Sequence, residues 1–295
     1  MKTLLLYLVR AYYQILLHIK GKIPYKDKYG LKYFLWQETR WLATVLYAKV
    51  RTDDSGVIET IKLLVYILNN STDDKAITCV DVGAYIGVIS LSMSKFVSDK
   101  GSIIFSFEPH SRNYSRLLEN IIYNDSQNII PCKIALSDSV GTASISNSVN
   151  SGGESIMTNS NSDIIRTSEK CVMTTLDTFC SALGISNIDI LKIDAEGVDD
   201  RVLLGGKKLL ENQSIDYIIV EFHQDSECSK HVVEILTDNN YAVYYIVRNG
   251  DYIVMDLEKY PSDAYKPALN LLAISNNANT KGKVIDTLYE RTSRQ

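Results

Sequence analysis

Residues 76–87 read AITCVDVGAYIG, and this stretch decides the fold. Its first half, AITCVDVG (76–83), is an apolar run carrying one acid, Asp81, near its end, the pattern of a strand buried on both faces. Its second half turns at Gly83 and leads into a helical stretch, IGVISLSMSKF (86–96). Glycines at 83 and 87 allow a tight turn and close approach of the backbone to a ligand. Their spacing is GxxxG, not GxGxxG, and Asp81 stands two residues before the first glycine. A pyrophosphate would be repelled by that carboxylate, whereas a cationic ligand, such as a sulfonium with an amino group, would be attracted. These residues favour S-adenosylmethionine over a nicotinamide dinucleotide. The plain alternative is an ordinary strand–turn–helix. The candidate donor-binding residues here are Asp81, Val82, Gly83, Ala84, Tyr85 and Gly87.

Outward from this stretch, strands and helices alternate. VIETIKLLVYILNN (57–70) has helical periodicity. SIIFSFE (102–108), NIIPCKIAL (128–136), IDILKID (188–194) and IDYIIVEF (215–222) read as strands. SRNYSRLLENIIYN (111–124), with Ser111 as its N-cap, VDDRVLLGGKKLLE (198–211) and SECSKHVVEILTDNN (226–240) read as helices. SVGTASIS (139–146) and KCVMTTL (170–176) are short extended pieces around a Ser/Asn/Gly-rich loop at 144–163, and a hairpin turning at Asn249-Gly250 closes the body. The expected fold is α/β and Rossmann-like, a mostly parallel sheet with helices on both faces. Ligands in such sheets bind where strands end, so the residues just after each strand are the candidates.

Glu108-Pro109 follows the second strand, 27 residues after Asp81. A carboxylate there can accept hydrogen bonds from both hydroxyls of a ribose. Ala135, Leu136, Ser137 and Asp138 follow the third and suit an adenine edge, or a simple turn. Lys192, Asp194 and Glu196 lie in the LKIDAEG segment at the end of the fourth strand. Buried Lys192 needs a carboxylate partner. Asp194 and Glu196 suit deprotonation of a hydroxyl, or a divalent metal held by hard oxygen ligands. His223 follows Glu221 at the next strand end and suits a general base near neutral pH. The candidate catalytic residues are therefore Lys192, Asp194, Glu196 and His223.

DVGAYIG, FSFEPHSRNYSRLLENI, KIALSDSVG, TTLDTF and DILKIDAEGVDDRVLLGG, in this order, resemble the FkbM-type methyltransferase family over residues 76–223. The resemblance implies a class I methyltransferase fold with a seven-stranded sheet and S-adenosylmethionine as donor. It implies that Asp81–Gly87 lines the methionine end, that Glu108 holds the ribose, and that the acceptor is a hydroxyl of a sugar, glycan or small metabolite. Methylation of an amine, or donor binding without turnover, are the alternatives. The 149–170 loop is a candidate substrate lid.

The remaining features concern partners and setting. Among 295 residues, 45% are hydrophobic and 22% charged, an ordinary globular composition. The net charge of -4 is unevenly spread. Residues 1–51 carry ten Lys/Arg against two acids, and residues 52–295 carry 21 against 33. An acidic body argues against a nucleic-acid surface there. The expected domains are a basic, helical N-terminal extension (1–56), a methyltransferase domain (57–275) and a polar C-terminal tail (276–295). In LLLYLVRAYYQILLHI (4–19), Arg10, Gln14 and His18 share one helical face, and Leu4, Leu8, Ile15 and Ile19 lie opposite. Arg10 interrupts the apolar run, so this is an amphipathic helix more than a membrane span or a signal peptide. Lys20, Lys22, Lys26, Lys28 and Lys32 follow. Such a segment packs on the body or a second subunit, or lies on an anionic membrane surface. Further helix is expected in 34–50. Five cysteines at wide spacings, with no C-x-x-C pair, suggest core thiols in a reducing, cytoplasmic setting.

Overall fold

The computed structural model describes residues 11–12, 15–36, 53–71, 75–97, 101–146, 156–157, 168–223, 226–249, 251–256 and 270–293. A hairpin of β1 (Lys22–Lys26) and β2 (Lys32–Trp36) precedes helix α1 (Asp53–Asn69). Next come β3 (Thr78–Val82), α2 (Val88–Phe96), β4 (Ile103–Phe107), α3 (Ser111–Tyr123) and β5 (Ile129–Cys132). Four strands follow: β6 (Ala135–Leu136), β7 (Gly141–Ser146), β8 (Ile156–Met157) and β9 (Ser168–Thr174). The chain continues through α4 (Leu176–Leu183), β10 (Ile188–Ile193), α5 (Asp199–Leu204), α6 (Lys207–Glu211), β11 (Ile215–Glu221) and α7 (Glu227–Asp238). It closes with β12 (Tyr241–Asn249), β13 (Asp251–Asp256), β14 (Asn270–Ser275) and α8 (Lys281–Ser293).

The main sheet has the order β13-β12-β14-β11-β10-β3-β4-β5. Strands β11, β10, β3, β4 and β5 pair in parallel, and β14 runs antiparallel between β11 and β12. The seven strands from β5 to β12 form the expected class I arrangement, and β13 adds an eighth at the edge through the predicted hairpin. The strand order reverses between β3 and β10, so the crevice at their carboxyl ends is the switch point where ligands bind. Side chains alternate across the sheet. Cys79, Ile104, Ile190 and Ile219 join one apolar cluster with α1, α2 and α3. Val80, Phe105, Leu191 and Ile218 join another with α4, α5 and α7. Cys79, Cys171 and Cys180 are buried and all five thiols are free.

Several expectations are corrected. The third strand, expected over 128–136, is two strands: β5 ends at Cys132, and β6 joins a separate sheet of order β6-β9-β7-β8. Pro131 sits within β5, which is tolerated because β5 is an edge strand. The helix expected over 198–211 breaks into α5 and α6 at Gly205-Gly206, where a Cβ on Gly205 would stand 2.0 Å from the Ser137 carbonyl oxygen. Asp177 of the TTLDTF segment caps α6, accepting from the Lys208 and Leu209 amides. Ser111 is the first residue of α3, not its cap; its amide and hydroxyl both donate to Glu169 on β9. Strand β14 was not expected at all. Residues 281–293, expected in a polar tail, form α8, with Val284 buried and Ile285 and Leu288 packed on the core.

The N-terminal segment differs most. Residues 15–20 are helical, but 22–36 form a hairpin, and 34–36 are strand, not helix. The rest of the expected 34–50 helix, and most of the 149–170 loop, lie outside the described residues. The hairpin is stitched to α3. Asn120 accepts from the Phe34 amide (2.8 Å), and Asn124 pairs with both backbone groups of Lys32, so two asparagines four apart satisfy the open edge of β2. The Phe34 ring stacks on Tyr123 at 4.5 Å, and Arg116 lies over Trp36. Ile23, Leu31, Tyr33 and Leu35 are buried in the same cluster as the central strands. The hairpin thus shares the core of the body, although its composition sets it apart.

Candidate functional site

The turn after β3 is built by its neighbours. Gly83 has φ of 75°, and a Cβ there would lie 1.8 Å from the Asp194 carbonyl oxygen. Only glycine lets the β3 and β10 ends approach so closely. The Gly83 and Ala84 amides both donate to the Phe107 oxygen, and the Asp194 amide donates to the Val82 oxygen, locking three strand ends together. Tyr85 takes a left-handed φ of 52°, which aims its amide at Glu108. Gly87, also left-handed, is pressed against Leu117, whose Cδ1 would be 2.6 Å from an added Cβ.

Glu108 is buried, and its two oxygens accept from the Tyr85 and His110 amides, each at 2.9 Å. These two bonds fix the carboxylate plane. Pro109 lies half-buried beside it. Asp81 is fully buried. Its Oδ2 accepts from Ser90 on α2, and Ser106 on β4 in turn donates to Ser90 at 2.8 Å. Its Oδ1 has no hydrogen-bond partner among the described residues. Burial pushes the Asp81 carboxyl up, and the Lys192 charge opposes that shift.

Lys192, paired in register with Asp81, is buried with its Nζ 3.1 Å from Asp194 Oδ2 and 3.7 Å from Asp81 Oδ1. One lysine therefore ties the two acidic segments, as its burial requires. The following turn carries Glu196 at φ 53° and Gly197 at φ 90°, and is capped by Asp199, whose Oδ1 accepts from the Ala195 amide at 2.8 Å. Glu221, at the end of β11, faces this group. Burial first, and then the charges of Asp194, Glu196 and Asp199, raise its carboxyl to about 8, against the pull of Lys192. His223 is exposed, with Nε2 3.3 Å from Glu221 Oε1.

The structure brings Asp81, Gly83, Ala84, Tyr85, Gly87 and Glu108 together on one side of the switch point, and Lys192, Asp194, Glu196 and His223 on the other. Val82, Ala135 and Leu136 are buried in apolar clusters, so their side chains serve packing. Asp138 is exposed and accepts from the neighbouring Ser137 and Ser139 hydroxyls. Sequence reasoning missed Ser90, Ser106, Asp199 and Glu221 as parts of the site. The buried Asp81 carboxylate, whose Oδ1 accepts no hydrogen bond among the described residues, and the buried Glu108 carboxylate fit a donor with a cationic end and a ribose. A metal fits less well: among the described residues no group of three or more His, Cys, Asp or Glu side chains is placed to hold one.

The sequence profile of the methyltransferase FkbM domain matches residues 81–243, more than half of the chain and all of this site. The chain belongs to the FkbM methyltransferase domain family. Its members are S-adenosylmethionine-dependent methyltransferases, in keeping with the site's two acids on adjacent strands. Among solved structures, the methyltransferase FkbM from Methylobacillus flagellatus KT is 12% identical, with a TM-score of 0.45, over 84% of this chain and 55% of that one. This FkbM-domain chain thus spans about half the length of that relative. The precorrin-6y C5,15-methyltransferase from Geobacter metallireducens GS-15 is 10% identical, with a TM-score of 0.40, over 75% of this chain and 88% of that one. TYW2 from M. jannaschii, solved in complex with AdoMet, is 13% identical, with a TM-score of 0.38, over 86% and 85% of the two chains. No curated protein matches the chain.

Proposed function

We propose that this chain moves the methyl group of S-adenosylmethionine to a hydroxyl of a sugar, glycan or small metabolite. The observation that carries this reading is the raised, titratable Glu221 among Asp194, Glu196 and Asp199, directly across the switch point from the donor turn. Bound S-adenosylmethionine supplies a methyl already activated by its sulfonium. The residues of this chain then have two tasks, to hold the partners in line and to accept a proton. Asp81 attracts the methionine ammonium through Oδ1, the oxygen that accepts no hydrogen bond among the described residues. Glu108 accepts the ribose hydroxyls, with Pro109 stiffening the loop. The turn from Gly83 to Gly87 forms the floor, and Ser137 and Asp138 border the adenine.

The Glu221 carboxyl is raised to about 8 by burial and the neighbouring acids, so its basic form grows as pH rises through that value. It takes the acceptor proton, with His223 beside it as the outlet to solvent, and Asp194 and Glu196 orient the hydroxyl. Lys192 holds Asp81 and Asp194 in place. No step is routed through a metal. Free cysteines suit a reducing, cytoplasmic compartment.

The test is transfer of labelled methyl from the donor to a panel of sugars, polyols and amines. Label on hydroxyl acceptors, with kcat reduced at least about 100-fold by Glu221→Gln, supports the reading. Label only on amines assigns the acid cluster to an ammonium substrate, and tight donor binding with no labelled product assigns the protein to donor binding alone.

A further inference from the structure

The N-terminal helical segment is oriented against the usual rule. Helical spacing groups Leu4, Leu8, Ile15 and Ile19 on an apolar face, which in a helix packed on its own body turns inward. In its described part, Ile15 and Ile19, this face turns outward. Ile15 and Ile19 are 59% and 73% exposed and Tyr12 is 57% exposed, while Leu17 is fully buried and Leu16 packs on the core. Positions 12, 15 and 19 are three and four apart and so form one stripe. The segment is anchored from behind and presents its greasiest face to the surroundings. Scattered exposed apolar residues need no explanation, but an aligned stripe does.

The charges beside the stripe select the occupant. Residues 11–36 hold five lysines and one acid, Asp27. That acid is turned into the hairpin, where it accepts from the Tyr29 and Leu31 amides. Lys22 and Lys28 are matched by body carboxylates, Glu119 and Glu59. Lys20 and Lys26 are exposed, and no acid pairs with either among the described residues. Apolar side chains bordered by uncompensated lysines are complementary to an interface with acyl chains below and negative headgroups above. No helix among the described residues is long and apolar enough to cross a membrane.

We infer that the face carrying Tyr12, Ile15 and Ile19 docks onto an anionic lipid surface, with these side chains inserted and Lys20 and Lys26 at the headgroups. The enzyme then works beside a membrane, within reach of acceptors carried on lipids.

The full chain is mixed with vesicles of phosphatidylcholine alone or with added phosphatidylserine, and partition is read by sedimentation. Binding to the phosphatidylserine vesicles, weakened by salt, is expected. Ile15→Asp/Ile19→Asp lowers partition at least about tenfold, and Lys20→Ala/Lys26→Ala lowers it about fivefold per charge. Both variants keep the melting temperature and the affinity for S-adenosylhomocysteine, because the substituted side chains are at the surface; if the aspartates impair folding, Ile19→Ser reports in their place. Failure to sediment with either vesicle overturns the inference, as does unchanged partition of the Ile15→Asp/Ile19→Asp variant. A concentration-dependent dimer abolished by that variant would assign the face to a second copy instead.

Discussion

The two sides of the switch point hold their acids in opposite ways. At the ends of β3 and β4, each carboxylate is pinned by donors from its own chain: Glu108 by two backbone amides, and Asp81 by Ser90, itself held by Ser106. At the ends of β10 and β11, Asp194, Glu196, Asp199 and Glu221 crowd one another around a single lysine. On the proposed reading, the first side is a rigid recognition floor, and the second is an electrostatically loaded edge whose protonation changes during the reaction. Binding needs fixed geometry, whereas proton transfer needs a group that is undecided near neutral pH.

The most severe way to break this comparison is to push the two sides apart. Gly83→Ala places a Cβ against the Asp194 carbonyl at a positive φ, and should cost at least about 3 kcal/mol, read as a lowered denaturant midpoint, with donor binding lost as well. Glu108→Ala removes the acceptor from the rigid side only. Affinity for S-adenosylhomocysteine should fall about 100-fold by calorimetry, roughly 3 kcal/mol, with a lowered melting temperature because the Tyr85 and His110 amides lose their acceptor; unchanged affinity would refute the ribose assignment. Ser90→Ala strips Asp81 of its hydroxyl donor and should destabilise the fold by about 1–3 kcal/mol. The loaded edge is sharpened by pH. Because the folded-state value of Glu221 is raised, its protonated form favours the native state. That stability is complete below the ordinary carboxylate range and is lost as pH rises towards and through about 8. The slope attributable to one group is at most about 1.4 kcal/mol per pH unit, and Glu221→Gln should flatten it in melts taken across this range.

The parallel strands were legible because strands buried on both faces read as continuous apolar runs, and because chemistry collects where they end. Asp81, Glu108 and Asp194 stood out as acids closing such runs. Glu221 stood in the same place, but the rarer His223 two residues later drew the assignment; the structure leaves the histidine exposed and the glutamate half-buried among like charges. Ser90 and Ser106 were hidden because a serine inside an apolar helix or strand looks like tolerated noise until its partner is known. Strand β14 was missed because a six-residue run without a turn or motif says nothing of where in a sheet it inserts. The N-terminal hairpin was missed for a related reason. Its edge is closed by asparagine side chains of α3, about 90 residues further along the chain, and no local pattern announces such a partner.

That last contact orders events during synthesis. Asn120 accepts from the Phe34 amide and also donates to the Ile86 oxygen beside the donor turn. The hairpin therefore cannot complete its hydrogen bonds until α3, made later, has left the ribosome. Until then it carries an open strand edge and apolar residues, the features that chaperones and misassembly both exploit. Slowing translation once residue 124 has emerged would give the hairpin time to close.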